Sequence, residues 1–267
     1  MSGSQDIVVE KQGAVTLITI DRPAKMNSLD FAAHDSLAAA FAAFEADATA
    51  RIAVLTGAGD KAFCAGADLK TYTVAFGTTP APEFRKKYVH GLGLGGITRG
   101  MDIDKPVIAA VNGFAISGGL EIALACDLRF ASPNAEFALQ DSKWGFHACD
   151  GGLVRLPMIV GMGHAMEMIL SGERIDAAHA HRIGLVNRVW PQQDLLARTL
   201  DYAQMLAERA PLAHRFAKQT MRRLVGMNLQ QQLETEVRSF HDLGSSQDLK
   251  EGTAAFAERR PASFKGR

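Results

Sequence analysis

The sequence predicts an α/β fold followed by a helical C-terminal third. Short apolar runs such as Ile52–Thr56 and Val107–Val111 are typical of parallel strands buried on both faces. Helical patterns alternate with these runs, as in β-α-β units. From about residue 193 onward the pattern is helical throughout. We therefore predict an α/β core in residues 1–195 and a helical region in residues 196–267.

Composition and charge restrict the classes of function. Lys plus Arg and Asp plus Glu both number 29, so the formal charge of the 267 residues is zero, and neither nucleic acid nor an anionic membrane is expected as the main partner. The cysteines Cys64, Cys126 and Cys149 are odd in number and form no C-x-x-C pair, which argues against a disulfide framework and a zinc site. No secretory signal and no apolar run of membrane-spanning length is present. We expect a cytoplasmic protein.

The first hundred residues show four local patterns. Ile7–Glu10 and Val15–Ile20 are β-rich and close enough for a hairpin. An alanine-rich helix is predicted from about Asp30 to Ala46. Thr71–Pro82, with one glycine and two prolines, is predicted to be a loose segment, and Glu83–Gly100 a helix that frays into glycines.

Two glycine turns follow the strand at residues 52–56. Residues 57–62 fit the pattern G-x-G-x-x-A, but Gly66 lies where a dinucleotide-binding protein needs a long helix, so an NAD-dependent oxidoreductase is a weak alternative. The second turn, Ala65-Gly66-Ala67-Asp68, is able to offer backbone N–H groups to a ligand. The simpler alternative is a loop that Asp68 caps before a helix.

Lys105–Phe130 is the stretch around which the rest of the chain is organised. A buried strand ends at Asn112-Gly113, and Gly118-Gly119 then precedes a short helix that carries Glu121 in its first turn. Glycines let a ligand approach the backbone, and the unpaired N–H groups at a helix start favour an oxyanion. This combination suits acyl chemistry. Alternatively, Glu121 is only a favourable partner of the helix dipole.

The second half of the chain continues with strands and then helices. Strands are predicted at Leu128–Ala131, Phe137–Leu139 and Val186–Trp190, with Asp141 directly after the second. The predicted C-terminal helices lie near Leu195–Ala207, Leu212–Val225, Leu229–Leu243 and Asp248–Glu258.

Five stretches in this order resemble the crotonase, or enoyl-CoA hydratase/isomerase, superfamily. They are residues 25–29 (KMNSL), 62–70 (AFCAGADLK), 105–127, 172–186 and 251–256. The resemblance covers nearly the whole chain. It implies a crotonase-like spiral of β-β-α units, a helical C-terminal trimerisation region, and a homotrimer or a hexamer built as a dimer of trimers.

The resemblance also implies a site for an acyl-CoA thioester. The oxyanion hole of the family falls on the N–H groups of Ala67 and Gly118, and its two catalytic glutamates, which hold water and move protons, fall on Glu121 and Asp141. The terminal basic residue that reaches coenzyme A corresponds to Lys265. No metal or redox cofactor is implied, because coenzyme A is part of the substrate. The coenzyme A and substrate contacts match Lys25, Ala65, Asp68, Leu69 and Lys70.

The chain departs from the hydratase pattern at two places. Asp141 follows Gln140 where proline and glutamate are usual, and an aspartate is shorter by one C–C bond, roughly 1.5 Å. A misplacement of about 1 Å can cost on the order of 10²-fold in rate. In the loop that follows, His147 or Asp150 is an additional candidate acid, base or nucleophile; the alternatives are a polar loop residue and a turn former.

Three functions within the family stay open. The first hypothesis is an enoyl-CoA hydratase-type lyase that uses both carboxylates. A double-bond isomerase needs only one carboxylate to shuttle a proton. A protein that binds acyl-CoA without efficient turnover is the third, although such a protein gains little from a desolvated carboxylate near a thioester.

Overall fold

The computed structural model describes residues 6–267, apart from the side chain of Thr73. Within this range the chain forms a six-stranded sheet, a four-stranded sheet and eleven α-helices. The strands are β1 (Ile7–Gln12), β2 (Val15–Ile20), β3 (Ile52–Gly57), β4 (Ala62–Cys64), β5 (Val107–Val111), β6 (Phe114–Ile116), β7 (Leu128–Ala131), β8 (Glu136–Ala138), β9 (Ile175–Asp176) and β10 (Arg188–Val189). The helices are α1 (Phe31–Ala46), α2 (Leu69–Thr78), α3 (Ala81–Phe84), α4 (Gly118–Ala125), α5 (Gly152–Val160), α6 (Met162–Ser171), α7 (Ala177–Arg182), α8 (Leu195–Ala207), α9 (Pro211–Arg223), α10 (Leu229–Leu243) and α11 (Gln247–Glu258).

From β3 to β8, successive strands alternate between the two sheets. The large sheet has the order β1-β2-β3-β5-β7-β10 and the small sheet the order β4-β6-β8-β9. The chain passes from β3 to β4 and then α2, and from β5 to β6 and then α4, so each turn places one strand in each sheet. Only β1 with β2 and β8 with β9 pair antiparallel in the described chain. The predicted spiral of β-β-α units is confirmed.

The large sheet is covered on both faces, which explains its continuous apolar strands. Ile52 and Val54 of β3 pack with Ala203 and Ala207 of α8 on one face. The alternate residue Leu55 belongs to the cluster formed with α1 and α4 on the other face. Because side chains of a strand alternate between its faces, a strand covered on both sides must be apolar at every position.

The four C-terminal helices lie where the helical patterns predicted them. Helix α8 packs on the large sheet, whereas α10 has no buried residue. The division into residues 1–195 and 196–267 stays a prediction. In the described residues, no helix is long and apolar enough to cross a membrane.

The loose segment predicted at Thr71–Pro82 is wrong. Helix α2 occupies most of it, and the Asp68 carboxylate caps this helix by accepting the Lys70 N–H at 3.1 Å. The ring of Tyr72 packs against that of Phe31 at a tilt of 45°, with centroids 4.6 Å apart. Capping and aromatic packing therefore outweigh the low helix propensity of Gly77. The helix predicted in Glu83–Gly100 is short. Helix α3 continues into a π-helical turn that ends at residue 89, and a separate 3₁₀ turn follows at residues 94–96.

Candidate active site

A cavity of about 1690 Å³ lies where α1, α2, α4 and the loop of residues 140–150 meet. It is large enough for a drug-sized ligand and is lined mainly by apolar side chains. Three of the predicted site residues, Lys25, Asp68 and Lys70, do not line it. The predicted site residues that do line it are Ala65, Ala67, Leu69, Gly118, Glu121, Asp141, His147 and Asp150.

Gly66 and Gly118, which have no side chains, allow two loops to bring the N–H groups of Ala67 and Gly118 together. Gly66 has a φ of +91°, and a Cβ atom there would lie 2.9 Å from the Gly118 nitrogen. A Cβ atom on Gly118 would in turn lie 3.3 Å from the Ala67 nitrogen. Only glycine allows the two loops to approach this closely, and only glycine adopts this φ freely.

Both of these N–H groups are free to bind a ligand. Within residues 6–267 neither the Ala67 nor the Gly118 N–H donates a hydrogen bond to the protein. Gly118 is the first residue of α4, whose first intrahelical bond is donated by Glu121 to the Ser117 carbonyl at 3.0 Å. Ser117 holds this turn in a conformation unusual for a side-chain-bearing residue, with φ 49° and ψ −118°. A pair of preorganised donors of this kind stabilises an oxygen that gains negative charge.

Glu121 is buried beside these donors, with 2% of its surface exposed. Its Oε1 atom accepts the Asp150 N–H at 2.6 Å and the Gly152 N–H at 2.8 Å. Burial raises the pKa of Glu121 to about 7; the Asp150 and Asp141 carboxylates raise it as well, while the two N–H groups lower it. The carboxyl group is therefore fixed in place, and its raised pKa suits a group that gives and takes protons.

Asp141 is the second buried carboxyl group, with 5% of its surface exposed. It lies in a 3₁₀ turn, residues 140–144, directly after β8. Burial raises the pKa of Asp141, and the nearby Ser117 hydroxyl lowers it. Its Oδ2 atom is buried without a hydrogen-bond partner in the described protein. Burying such an atom costs desolvation free energy that no hydrogen bond offsets. The atom is therefore suited to bind a proton, a water molecule or a ligand.

Asp150 and His147 also line the cavity, but their side chains are already engaged. The Asp150 Oδ1 atom accepts the Leu94 N–H and the Thr98 hydroxyl, both at 2.9 Å, and lies 3.5 Å from an Arg99 nitrogen. The Nδ1 atom of the exposed His147 lies 2.9 Å from the carbonyl of Ala148. The contacts of Asp150 hold it against residues 94–99. They thereby support the loop whose Asp150 and Gly152 N–H groups bind Glu121.

The residues matched to coenzyme A contacts separate into two groups. Ala65 and Leu69 line the cavity, and the Ala65 N–H is bound to the Met26 carbonyl at 3.0 Å. The exposed ammonium of Lys25 lies 3.8 Å from the Asp30 carboxylate. Asp68 is engaged as the cap of α2. Lys265 is exposed and does not line the cavity.

Sequence reasoning missed the aromatic wall of the cavity. The aromatic cluster consists of rings on α1, on α2 and in residues 84–88, with neighbouring centroids 4.6 to 6.0 Å apart. The apolar residues at Tyr72 and Phe76 have the i, i+4 spacing of one helix face, a signal that the loose-segment prediction concealed. The members of the aromatic cluster are Phe31, Tyr72, Phe76, Phe84 and Tyr88.

The turn at residues 57–62 does not resemble a dinucleotide site in the structure. Strand β4 follows it where the fingerprint requires a long helix, and the small cavity beside it holds about 180 Å³.

Among residues 6–267, no three His, Cys, Asp or Glu side chains are grouped to hold a metal ion.

Comparisons with known proteins agree with this geometry. The enoyl-CoA hydratase/isomerase family matches residues 10–267. Carnitinyl-CoA dehydratase from Salmonella typhi is 37% identical over 268 residues, covering 99% of this chain and 100% of the relative. Enoyl-CoA hydratase from Mycobacterium tuberculosis H37Rv superimposes with a TM-score of 0.89 at 34% identity, covering 98% of this chain and 99% of that one. Enoyl-CoA hydratase from Bacillus anthracis gives a TM-score of 0.88 at 34% identity, over 98% and 100% of the two chains.

The spiral fold, together with these relatives, defines a crotonase-superfamily enzyme. Within that superfamily the chain belongs to the enoyl-CoA hydratase/isomerase family, since the match extends over all but its first nine residues.

Proposed function

We propose that this protein is an enoyl-CoA hydratase-type lyase, which adds water to a 2-enoyl-CoA thioester or removes it. One observation carries the proposal: two buried carboxyl groups, Glu121 and Asp141, line the same cavity as the two free N–H groups of Ala67 and Gly118. Hydration needs an electron sink for the thioester and a pair of groups that move two protons. The cavity contains both.

In the proposed reaction the N–H groups of Ala67 and Gly118 bind the thioester oxygen. The pair of carboxyl groups, sharing one proton, holds a water molecule at the free Oδ2 of Asp141 and the remaining oxygen of Glu121. The ionised carboxylate takes a proton from the water molecule while the water oxygen bonds to the β-carbon of the substrate. The electrons of the C=C bond form an enolate, which the N–H groups of Ala67 and Gly118 stabilise. The protonated member gives its proton to the α-carbon. Because the two groups are coupled, the proton belongs to the pair rather than to one residue.

The buried, unpartnered Asp141 carboxyl favours hydration over the alternatives. A double-bond isomerase would use one carboxyl group and leave the cost of burying the other unexplained. A pure acyl-CoA binder would gain nothing from either. The reaction moves no electrons to an external acceptor, so the proposal includes no redox cofactor. For Asp150 we propose a positioning role, because its carboxylate is occupied by residues 94–99.

The proposal extends to coenzyme A and to assembly. We assign the coenzyme A and substrate contacts to Lys25, Ala65, Asp68, Leu69 and Lys70. We also propose a homotrimer or a hexamer, supported by apolar side chains that are 49 to 71% exposed on α9 and α10, such as Met221, Leu233 and Phe240. Sedimentation velocity tests the assembly, and a monomer at micromolar concentration would contradict it. The cytoplasmic location also stays a prediction.

The test is to incubate the protein with crotonyl-CoA and a panel of 2-enoyl- and 3-enoyl-CoA thioesters. Water addition and double-bond migration are followed by mass spectrometry and absorbance. We expect hydration in the wild type, and a loss of kcat of about 10²- to 10⁴-fold in Glu121→Gln and in Asp141→Asn, since each removes one partner of the proton transfer. The matched control Glu10→Gln, on the exposed edge of the large sheet, should keep the wild-type rate.

Other outcomes would reject the proposal in distinct ways. Migration of the double bond without hydration would identify an isomerase. Tight binding of the thioesters without any turnover would identify a binding protein. Full activity of Asp141→Asn would remove Asp141 from the chemistry.

A further inference from the structure

Lys87 is a cation in the aromatic wall of the cavity. Its Nζ atom lies 4.3 Å from the centroid of the Phe31 ring and 5.3 Å from that of the Tyr88 ring. No carboxylate of the described protein lies within 4 Å of it, and it donates no hydrogen bond there. Two rings thus orient an ammonium group that has no anionic partner.

This part of the wall has a second unpaired group. The hydroxyl of Tyr88, the next residue, is buried and has no hydrogen-bond partner within residues 6–267. Both residues belong to the π-helical turn at residues 85–89, a geometry that occurs frequently at functional sites. An ammonium and a hydroxyl are both donors to an oxygen anion, and here both belong to one turn that lines the cavity.

Lys87 lines the same cavity as the proposed chemistry. The lining residues include Lys87, Glu121 and Asp141. The lysines matched to coenzyme A, Lys25 and Lys70, belong to other segments and do not line the cavity.

We propose that Lys87 is a specificity-determining residue that selects acyl-CoA thioesters whose acyl group ends in a carboxylate. This inference rests on the proposed function, because it takes the cavity to be an acyl-CoA site. The carboxylate supplies the anion that Lys87 lacks, while the aromatic cluster packs on the carbon chain. The same ammonium repels an acyl group ending in a trimethylammonium, which would otherwise fit an aromatic cluster well.

The test is a titration with three saturated thioesters, which bind but cannot be hydrated. Their acyl groups are hexanoyl, adipoyl, which has the same six carbons but ends in a carboxylate instead of a methyl group, and 4-trimethylammoniobutanoyl, each on coenzyme A. In the wild type we expect adipoyl-CoA to bind roughly fivefold more tightly than hexanoyl-CoA and the cationic thioester to bind most weakly. Lys87→Met should abolish the preference for adipoyl and strengthen binding of the cationic thioester by a similar factor. Lys87→Arg should keep the wild-type order.

A matched control and a second series separate the possible sources of the anion. Lys250→Met, which removes an exposed lysine of α11, should bind all three thioesters like the wild type. The same acyl groups on pantetheine, which lacks the nucleotide phosphates, should show the same effect of Lys87→Met. Equal weakening of all coenzyme A thioesters, without any effect on the pantetheine series, would assign Lys87 to a phosphate and overturn the inference.

The remaining outcomes also decide between the two proposals. An unchanged adipoyl-to-hexanoyl ratio in Lys87→Met, with a wild-type circular dichroism spectrum, would overturn the inference. Selective binding without hydration of the corresponding 2-enoyl-CoA thioesters would overturn only the hydratase. Failure of every thioester to bind would overturn both.

Discussion

The buried polar groups of this protein fall into two regions that differ in how completely they are paired. In the large sheet and its connections, the guanidinium of Arg129 donates to the carbonyls of Leu185 and Cys126 at 2.8 Å. Lys105 donates to three carbonyls at the end of α1, at 2.7 to 2.8 Å. In the cavity wall, by contrast, polar atoms are buried without partners.

All three unpaired atoms belong to residues that line the cavity. Within residues 6–267 the buried side-chain nitrogen or oxygen atoms without a partner are Tyr88 Oη, Arg99 Nε and Asp141 Oδ2. A buried polar atom without a partner costs free energy, so a protein retains it where a ligand or a reaction requires it. The comparison teaches that the buried polar side chains of the frame find their partners within the protein, whereas the buried side-chain atoms without a partner among residues 6–267 are in the cavity wall.

Breaking the paired region should have the largest effect. Arg129→Met removes the donor of three carbonyls, those of Leu185, Cys126 and Ala123, and should lower the free energy of unfolding by about 4 kcal/mol. Urea denaturation followed by circular dichroism measures this change. The control Arg198→Met removes an arginine whose side chain is 51% exposed and should change it by no more than about 0.5 kcal/mol. A loss below about 1 kcal/mol in Arg129→Met would contradict the importance of this pairing.

The second largest effect concerns how the free energy of unfolding depends on pH through the buried carboxyl group of Glu121. The pKa of Glu121 is raised from 4.5 to about 7, so the folded state holds its proton more tightly than the unfolded state. This contribution to stability is full below pH 4.5 and is lost as the pH rises through 7. The wild type should therefore lose about 3 kcal/mol more unfolding free energy than Glu121→Gln between pH 4.5 and pH 8. Urea denaturation at a series of pH values measures both curves, and parallel curves would show that Glu121 has an ordinary pKa.

The smallest effect should come from the unpaired region and have the opposite sign. Asp141→Asn removes a buried charge and should raise the free energy of unfolding at pH 7 by about 1 kcal/mol, while hydration falls. Thermal and urea denaturation measure the gain. Asp201→Asn, an exposed residue of α8, is the control and should leave both quantities unchanged. Destabilisation by Asp141→Asn would mean that the carboxylate supports the fold rather than the reaction.

The sequence predicted most elements because their signals are local. The apolar run at Val107–Val111 and the helix from Asp30 to Ala46 both appear in the structure within one residue of their predicted bounds. The segment at Thr71–Pro82 was predicted wrongly because the packing of Tyr72 against Phe31 joins residues that are 41 positions apart. Lys87 was missed for the same reason, since its ammonium contacts the ring of Phe31, which is distant in sequence.

The candidate site was also predictable only in part. The order of its motifs indicated Glu121, Asp141, Ala67 and Gly118, and the structure places all four around one cavity. Their assigned roles stay predictions. The occupation of Asp150 by Leu94, Thr98 and Arg99 has no signature in the sequence, since these partners approach only when residues 94–99 fold over the loop.

By itself, the sequence of this protein determined its family, its alternating strands and helices and the residue types available for chemistry, because these follow from periodicity, turn residues and motif order. Only the tertiary structure decided the raised pKa of Glu121, the unpaired Oδ2 atom of Asp141 and the contact of Lys87 with aromatic rings. These properties arise from burial and from contacts between distant segments. Electrostatic free energies depend on such surroundings, so the same side chains acquire their reactivity only in the folded chain.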